Sequence, residues 1–208
     1  SIETSGIEET WRLKQQDIRK EVDVRTQSKM FDLSLNFGPY RCGFTRNGAH
    51  VLLGGRRGHL AIMNREQLKL EMELHVKETV RDVVFLHDHT LFATAQKRAV
   101  FIYDNTGLEV HCLRQHSEVN RLDFLPHHFL LVTVGKTGYL RYQDTSTGQN
   151  VAELRTRMGE VHTMRQNPYN AVMCLGHTNG QVTMWAPNLS TPLVKMLAHK
   201  GSCSYCCY

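Results

Sequence analysis

The sequence contains no apolar run near the ~20 residues a membrane-spanning helix needs, so it offers no membrane partner. It has no G-x-S-x-G elbow, no phosphate-cradling glycine loop and no H-E-x-x-H pair. Those patterns expose a nucleophile, hold a nucleotide or seat a catalytic zinc. Without them, no enzyme, no cofactor and no small-molecule substrate is expected. There is no secretory leader, and the chain starts at Ser1 without a Met, which reads as a piece of a longer or processed product. Neither charge sign dominates: the net charge is +5, with 22% charged residues. Residues 1–29 hold six Lys/Arg and six Asp/Glu, so the basic excess lies entirely in residues 30–208. A surface that is only mildly basic suits RNA or acidic partners without demanding them.

What the sequence does have is a repeat. Short runs recur at Leu60-Ala-Ile-Met63, Val100-Phe-Ile-Tyr103, Leu140-Arg-Tyr-Gln143 and Val182-Thr-Met-Trp185, and their last residues are 40, 40 and 42 positions apart. Each is preceded by a strand such as Val80-Arg-Asp-Val-Val-Phe85, a polar turn, a second apolar strand such as Phe129-Leu-Leu-Val132, and a second turn. That second turn places Gly58, Arg98, Gly138 and Gly180 at one equivalent position. Glycine suits a tight hairpin there because the turn wants positive φ. A fourth strand follows, as in Val151-Ala-Glu-Leu154, and the copies close at His75, His116, Arg157 and His199. Four short strands per period of ~40 residues predict an all-β fold, a partial WD40 β-propeller of about four blades. Cys42, Cys112 and Cys174 sit singly in different copies, as reduced intracellular thiols do, and not as a disulfide framework.

The predicted organisation is an N-terminal helical extension over 1–29, blades over 30–199 forming an incomplete ring, and an aberrant tail over 200–208. Ser5-Gly-Ile-Glu8 has capping-box spacing, and Ile7, Trp11, Ile18 and Val22 share one helical stripe, so a helix is predicted over 5–29. It would lie on its own propeller or bind a partner, with Trp11 and Arg19 as candidate contacts. Met30-Phe-Asp-Leu-Ser-Leu35 reads as a strand. Gly201 to Tyr208 look unlike the first strand of a fifth blade. An open array leaves sheet faces wet, so the isolated chain is expected to be unstable or to oligomerise.

The side chains with chemical potential mostly have plainer readings. His87-Asp88-His89 and His127-His128 occupy the same turn of neighbouring copies, and no Cys or Glu completes four zinc ligands. His199 with Cys203, Cys206 and Cys207 has better zinc spacing but straddles the tail, where accident is the plainer explanation. Asp104 and Asp144 read as strand-end residues capping a turn, and Asp82 and Asp123 as structural groups near blade ends. The basic pairs Arg56-Arg57 and Lys97-Arg98 fall in the second turn of adjacent copies, with Lys136 in the third. Together they would line one rim and hold a phosphate backbone; a solvated turn is the bland alternative. Few aromatics interleave with these cations, so base stacking is not indicated at this rim.

The chain also resembles a known family. The resemblance is carried by Phe37-Gly-Pro-Tyr-Arg41, Gly54-Gly-Arg-Arg-Gly-His59, Val80-Arg-Asp82 with Phe85-Leu-His87, and Ile102-Tyr-Asp-Asn105. It continues through Phe124-Leu-Pro126, His128-Phe-Leu-Leu131, and Gln166-Asn-Pro-Tyr-Asn-Ala-Val172 with Leu175-Gly-His177. These strings are similar to the WD repeat-containing protein 46 family, U-three small nucleolar RNA-associated proteins, from about Ile7 to His199. The resemblance implies a non-enzymatic scaffold of the small-subunit processome in the nucleolus, acting in ribosomal RNA processing and small-subunit biogenesis. Its implied partners are processome proteins, pre-ribosomal RNA and the small nucleolar RNP. It also makes the basic rim and the 5–29 helix more plausible contact surfaces. The tail departs from the family pattern after His199, which implies a truncated form. A generic peptide-binding WD-repeat adaptor, such as a ubiquitin-ligase substrate receptor, and a truncated product without function are the alternative readings.

Overall fold

The repeat becomes sixteen strands because each copy supplies four short β-forming runs separated by residues suited to turns. The structure is a computed structural model, described over residues 10–30 and 33–203. The first sheet contains β1 (Tyr40–Phe44), β2 (His50–Gly55), β3 (His59–Asn64) and β4 (Lys69–His75). The second contains β5 (Val80–Phe85), β6 (Leu91–Gln96), β7 (Val100–Asp104) and β8 (Glu109–Leu113). The third contains β9 (Val119–Leu125), β10 (Leu130–Gly135), β11 (Tyr139–Asp144) and β12 (Asn150–Arg155). The fourth contains β13 (Val161–Gln166), β14 (Met173–His177), β15 (Gln181–Trp185) and β16 (Val194–Leu197). Every sheet is a four-stranded antiparallel meander in chain order, with its first strand innermost. These are four blades of a β-propeller.

The central strands are nearly continuous apolar runs because both of their faces are covered by neighbouring blades. Leu52, Leu60 and Ile62 of the first blade enclose Val80, Val83 and Phe85 of the second. The same arrangement recurs where Val100 and Ile102 meet Val119, Leu122 and Phe124, and where Leu140 and Tyr142 meet Val161 and Met164. Burying one such side chain contributes about 1.5–3 kcal/mol, so these inter-blade cores hold the array together. In the second turns, Gly58, Gly138 and Gly180 have φ of 97°, 69° and 77°, as the hairpin argument requires. Arg98 is not among the positive-φ residues, since its loop closes differently, with the Gln96 N–H donating to the Ala99 carbonyl at 3.0 Å.

Three of the blades also enclose a polar chain. In the fourth, the Trp185 indole donates to Thr183 Oγ1 at 2.8 Å, and His177 Nε2 meets the same oxygen at 2.7 Å. In the third, His116 bridges Thr133 Oγ1 at 2.7 Å and Gln143 Oε1 at 2.5 Å. In the second, the Gln96 amide donates to Thr94 and Tyr103. Burial holds the His116 imidazole below its ordinary pKa and takes His177 down to about 4, so both are neutral spacers at pH 7.

Two expectations need correction. The helix over 5–29 is not continuous within its described part, residues 10–29. A 3₁₀ turn (Thr10–Arg12), α1 (Gln15–Glu21) and α2 (Val24–Gln27) are separated by extended backbone at Lys14 and at Val22-Asp23. The capping box at 5–8 lies outside the described residues. Met30-Phe-Asp-Leu-Ser-Leu35 contains no strand among its described residues. This segment to Asn36 and the blades are two separate compact units. The described start of the tail, residues 200–203, forms no strand but packs onto the fourth blade. Cys203 follows Gly180 by 23 positions, as Val161 follows Gly138. It is 3% exposed against Val182 and Cys174, its N–H donating to the His177 carbonyl at 3.0 Å. That is the place Val80 takes on the first blade. Cys206 and Cys207 lie outside the described residues.

Candidate nucleic-acid interface

The inner strands carry a device that periodicity does not reveal. In β5, β9 and β13 the pairing with the next strand skips one residue near the strand start, so Arg81, Asn120 and His162 are bulged. A bulge leaves its residue unpaired and re-aims its side chain. Here the three line one axial cleft of about 540 Å³, each supplied by a different blade. β1 pairs without a bulge and adds Arg41; the second turns add Arg56 and Lys136.

The cleft is strongly cationic. Arg41, Arg56, Arg81, Arg121 and Lys136 line it, against Glu160 as the one carboxylate of the lining. Glu160 is engaged, accepting from Asn120 Nδ2 at 2.9 Å and lying 3.8 Å from His162 Nδ1. Among the described residues, none of the five cations has a carboxylate oxygen within 4.0 Å. Arg121 is partly buried, and desolvation holds its guanidinium below the usual arginine range, opposed by Asp82 and reinforced by Arg41 and Arg165. A cation stripped of water without a close partner favours an anion arriving from outside.

Two further carboxylates fasten the inner strands to one another. Asp82 Oδ2 accepts from the Leu122 N–H at 3.0 Å, and Asp123 Oδ2 accepts from the Gln166 N–H at 3.1 Å. Each therefore ties its inner strand to the next. Burial pushes both carboxyls up, Asp123 to about 6. Asp144, by contrast, caps its turn by accepting from the Ser146 and Thr147 N–H groups, and Asp104 accepts from the Asn105 N–H.

Of the predicted rim residues, only Arg56 and Lys136 line this cleft. Arg57, Lys97 and Arg98 are exposed on the β2–β3 and β6–β7 hairpins and are not part of its lining. Trp11 and Arg19 are exposed in the N-terminal unit, where the Arg12 guanidinium lies 5.1 Å from the Trp11 ring centre. Arg41, Arg81 and Arg121 were missed; their signal is the position one or two residues after the residue that opens each inner strand. The paired histidines gather instead at the opposite end of the axis. There Arg46 Nη2 lies 3.4 Å from His127 Nε2, spanning from the first blade to the third. Among the described residues no group of three or more His, Cys, Asp or Glu is placed to hold a metal.

Comparison with known proteins gives the lineage. The chain is 50% identical over 196 residues to U3 small nucleolar RNA-associated protein 7 of Saccharomyces cerevisiae, covering 94% of this chain and 35% of that protein. It is 50% identical over 201 residues to WD repeat-containing protein 46 of Homo sapiens, covering 96% and 33%. The chain belongs to the WD repeat-containing protein 46 family. The Mus musculus member is likewise 50% identical, over 195 residues, with 93% and 31% covered. The chain thus spans about a third of the length of these curated family members. No family model matches it. Among solved structures, the Cps50 (Swd1) β-propeller domain of Myceliophteria thermophila superposes with a TM-score of 0.65 at 17% identity, covering 74% of this chain and 56% of that one. That likeness concerns the fold of the WD repeat-containing protein 46 blades alone.

Proposed function

We propose that this chain is a non-enzymatic scaffold of the nucleolar small-subunit processome, acting in ribosomal RNA processing and small-subunit biogenesis. Its partners would be processome proteins, pre-ribosomal RNA and the small nucleolar RNP, in the nucleus and nucleolus. The observation that carries the reading is the axial cleft, in which three blades converge five cations and the fourth supplies one engaged carboxylate. The name of the yeast relative, a protein associated with U3 small nucleolar RNA, supports an RNA ligand. Guanidinium groups match phosphate oxygens in pairs, and a rigid blade array fixes where those pairs fall. The cleft therefore works as a positioning surface: it gives affinity and register along a phosphate backbone without reading sequence.

The test is affinity purification of the tagged chain from growing cells, with probes for U3 small nucleolar RNA and precursor ribosomal RNA, alongside imaging of its distribution. Enrichment of both RNAs with nucleolar signal is the expected result. Recovery of ubiquitin-ligase subunits without either RNA would overturn the proposal in favour of the adaptor reading.

A further inference from the structure

The opposite axial mouth differs in kind from the basic cleft. It is a recess of about 460 Å³ into which the first-to-second-strand turns of four blades converge. Two flat rings of the lining sit in the open, Phe44 at 60% exposed and Tyr169 at 98%, while Phe129, 43% exposed, lies just outside the lining. A ring this exposed contributes little to the fold, and the two lining rings come from the first and fourth blades. The His87 imidazole stacks on Phe129 at a centroid distance of 4.9 Å, extending the planar surface. Arg46 is the one guanidinium of the lining, beside His127. The one carboxylate, Asp123, has both oxygens engaged, accepting from the Phe124 and Gln166 backbone N–H groups. Asn167 and Asn170 spend their carbonyl oxygens on the Tyr169 and Val172 N–H groups, which leaves their amide N–H groups as donors at the mouth.

Exposed rings, amide donors and a lone guanidinium, with no available carboxylate, fit a planar ligand that carries acceptors and negative charge. The recess lies within the ~300–1,000 Å³ range of small-ligand sites, wide enough for one base with its sugar. We infer that this mouth is a stacking site for an unpaired nucleobase of single-stranded RNA. Aromatic faces hold bases with little regard to sequence, since every base offers a π-face. A duplex keeps its bases stacked on one another and cannot offer one. This inference rests on the reading that the chain works on RNA, and it adds strand state to that reading: the basic cleft holds any phosphate backbone, whereas this mouth requires an unpaired base.

The test uses the purified protein, a fluorescein-labelled 12-nucleotide single-stranded RNA and the matching duplex, titrated by anisotropy from 50 to 200 mM salt. Tyr169→Ala is expected to weaken single-strand binding about tenfold, to leave the duplex unchanged and to preserve the salt dependence. Tyr169→Trp should restore binding, because it restores the ring. Phe44→Ala should repeat the Ala result from another blade. Equal weakening on single strand and duplex, no weakening by either Ala variant, or displacement of neither RNA by free nucleotide but both by an aromatic peptide would overturn the inference. Its failure is separable from failure of the processome reading, because the cellular recovery of precursor RNA would persist with Tyr169→Ala.

Discussion

Asp123→Asn tests how the blades are fastened. In the folded protein the Asp123 carboxyl is pushed up to about 6 from an ordinary 3.8, chiefly because burial penalises its charge. A raised folded pKa means that the folded state holds the proton more tightly than the unfolded state. The stability this gives is fully present below about pH 4 and is lost as pH rises through 6. Two pKa units correspond to at most roughly 3 kcal/mol. His177 runs the other way: its folded pKa is lowered to about 4, so its contribution is present above its unfolded value of 6.5 and is lost on acidification. The two slopes oppose each other between pH 4 and 6.5, and the wild-type curve should be shallow there. Asparagine removes one of them. It still accepts the Gln166 or the Phe124 N–H but not both, a loss of about 1–3 kcal/mol that does not vary with pH. Urea unfolding from pH 3.5 to 7.5 should show the variant gaining up to roughly 3 kcal/mol relative to wild type as pH rises. A difference that is constant across that range would refute the assignment of a buried, proton-retaining carboxyl between the second pair of inner strands.

Three further outcomes are expected. His177→Gln should leave the Asp123 slope unopposed, so that the urea midpoint rises on acidification from pH 6.5 to 4, where the wild-type curve is shallow; an unchanged curve would place the titration elsewhere. Arg81→Gln with Lys136→Gln should lower the slope of log affinity against log salt for single-stranded RNA by about 1.4, at roughly 0.7 per phosphate contact. An unaltered slope would take the basic cleft out of the interface. In Gly135→Ala, a new Cβ would run into the Glu118 carbonyl at the start of the inner strand of the same blade. That should cost about 1–3 kcal/mol in urea unfolding, and a wild-type midpoint would contradict such close packing within the blade.

Much of this architecture was legible in the sequence. The spacing from Met63 to Trp185 located the third strand of each blade, because central strands buried on both sides must be apolar throughout. The turn glycines 58, 138 and 180 followed from hairpin geometry. The N-terminal segment was less readable: paired charges and a narrow stripe favour helix locally, but such pairs contribute only tenths of a kcal/mol and do not prevent the breaks at Lys14 and Val22. The burial of Cys203 carried no sequence signal, because a small thiol stands where the other copies carry valine. The site was only half visible. Turn cations such as Arg56 stand out in sequence, whereas Arg81 and Arg121 look like ordinary strand residues until the bulges aim that end of each inner strand at the axis.

Because those bulges recur in three of the four blades, the axial cleft is assembled from equivalent facets. Arg81, Asn120 and His162 occupy one structural position on three successive inner strands, outside the ladder hydrogen bonds and outside the inter-blade cores. Their structural ties are few: Arg81 Nη1 donates to the Val119 carbonyl at 3.4 Å and Asn120 Nδ2 to the Val161 carbonyl at 3.2 Å, each in the next blade. Substitution at one facet changes the charge seen from one direction while its blade keeps its ladder register and its core. The specificity of this end of the propeller can therefore drift one blade at a time, without passing through an unfolded intermediate sequence.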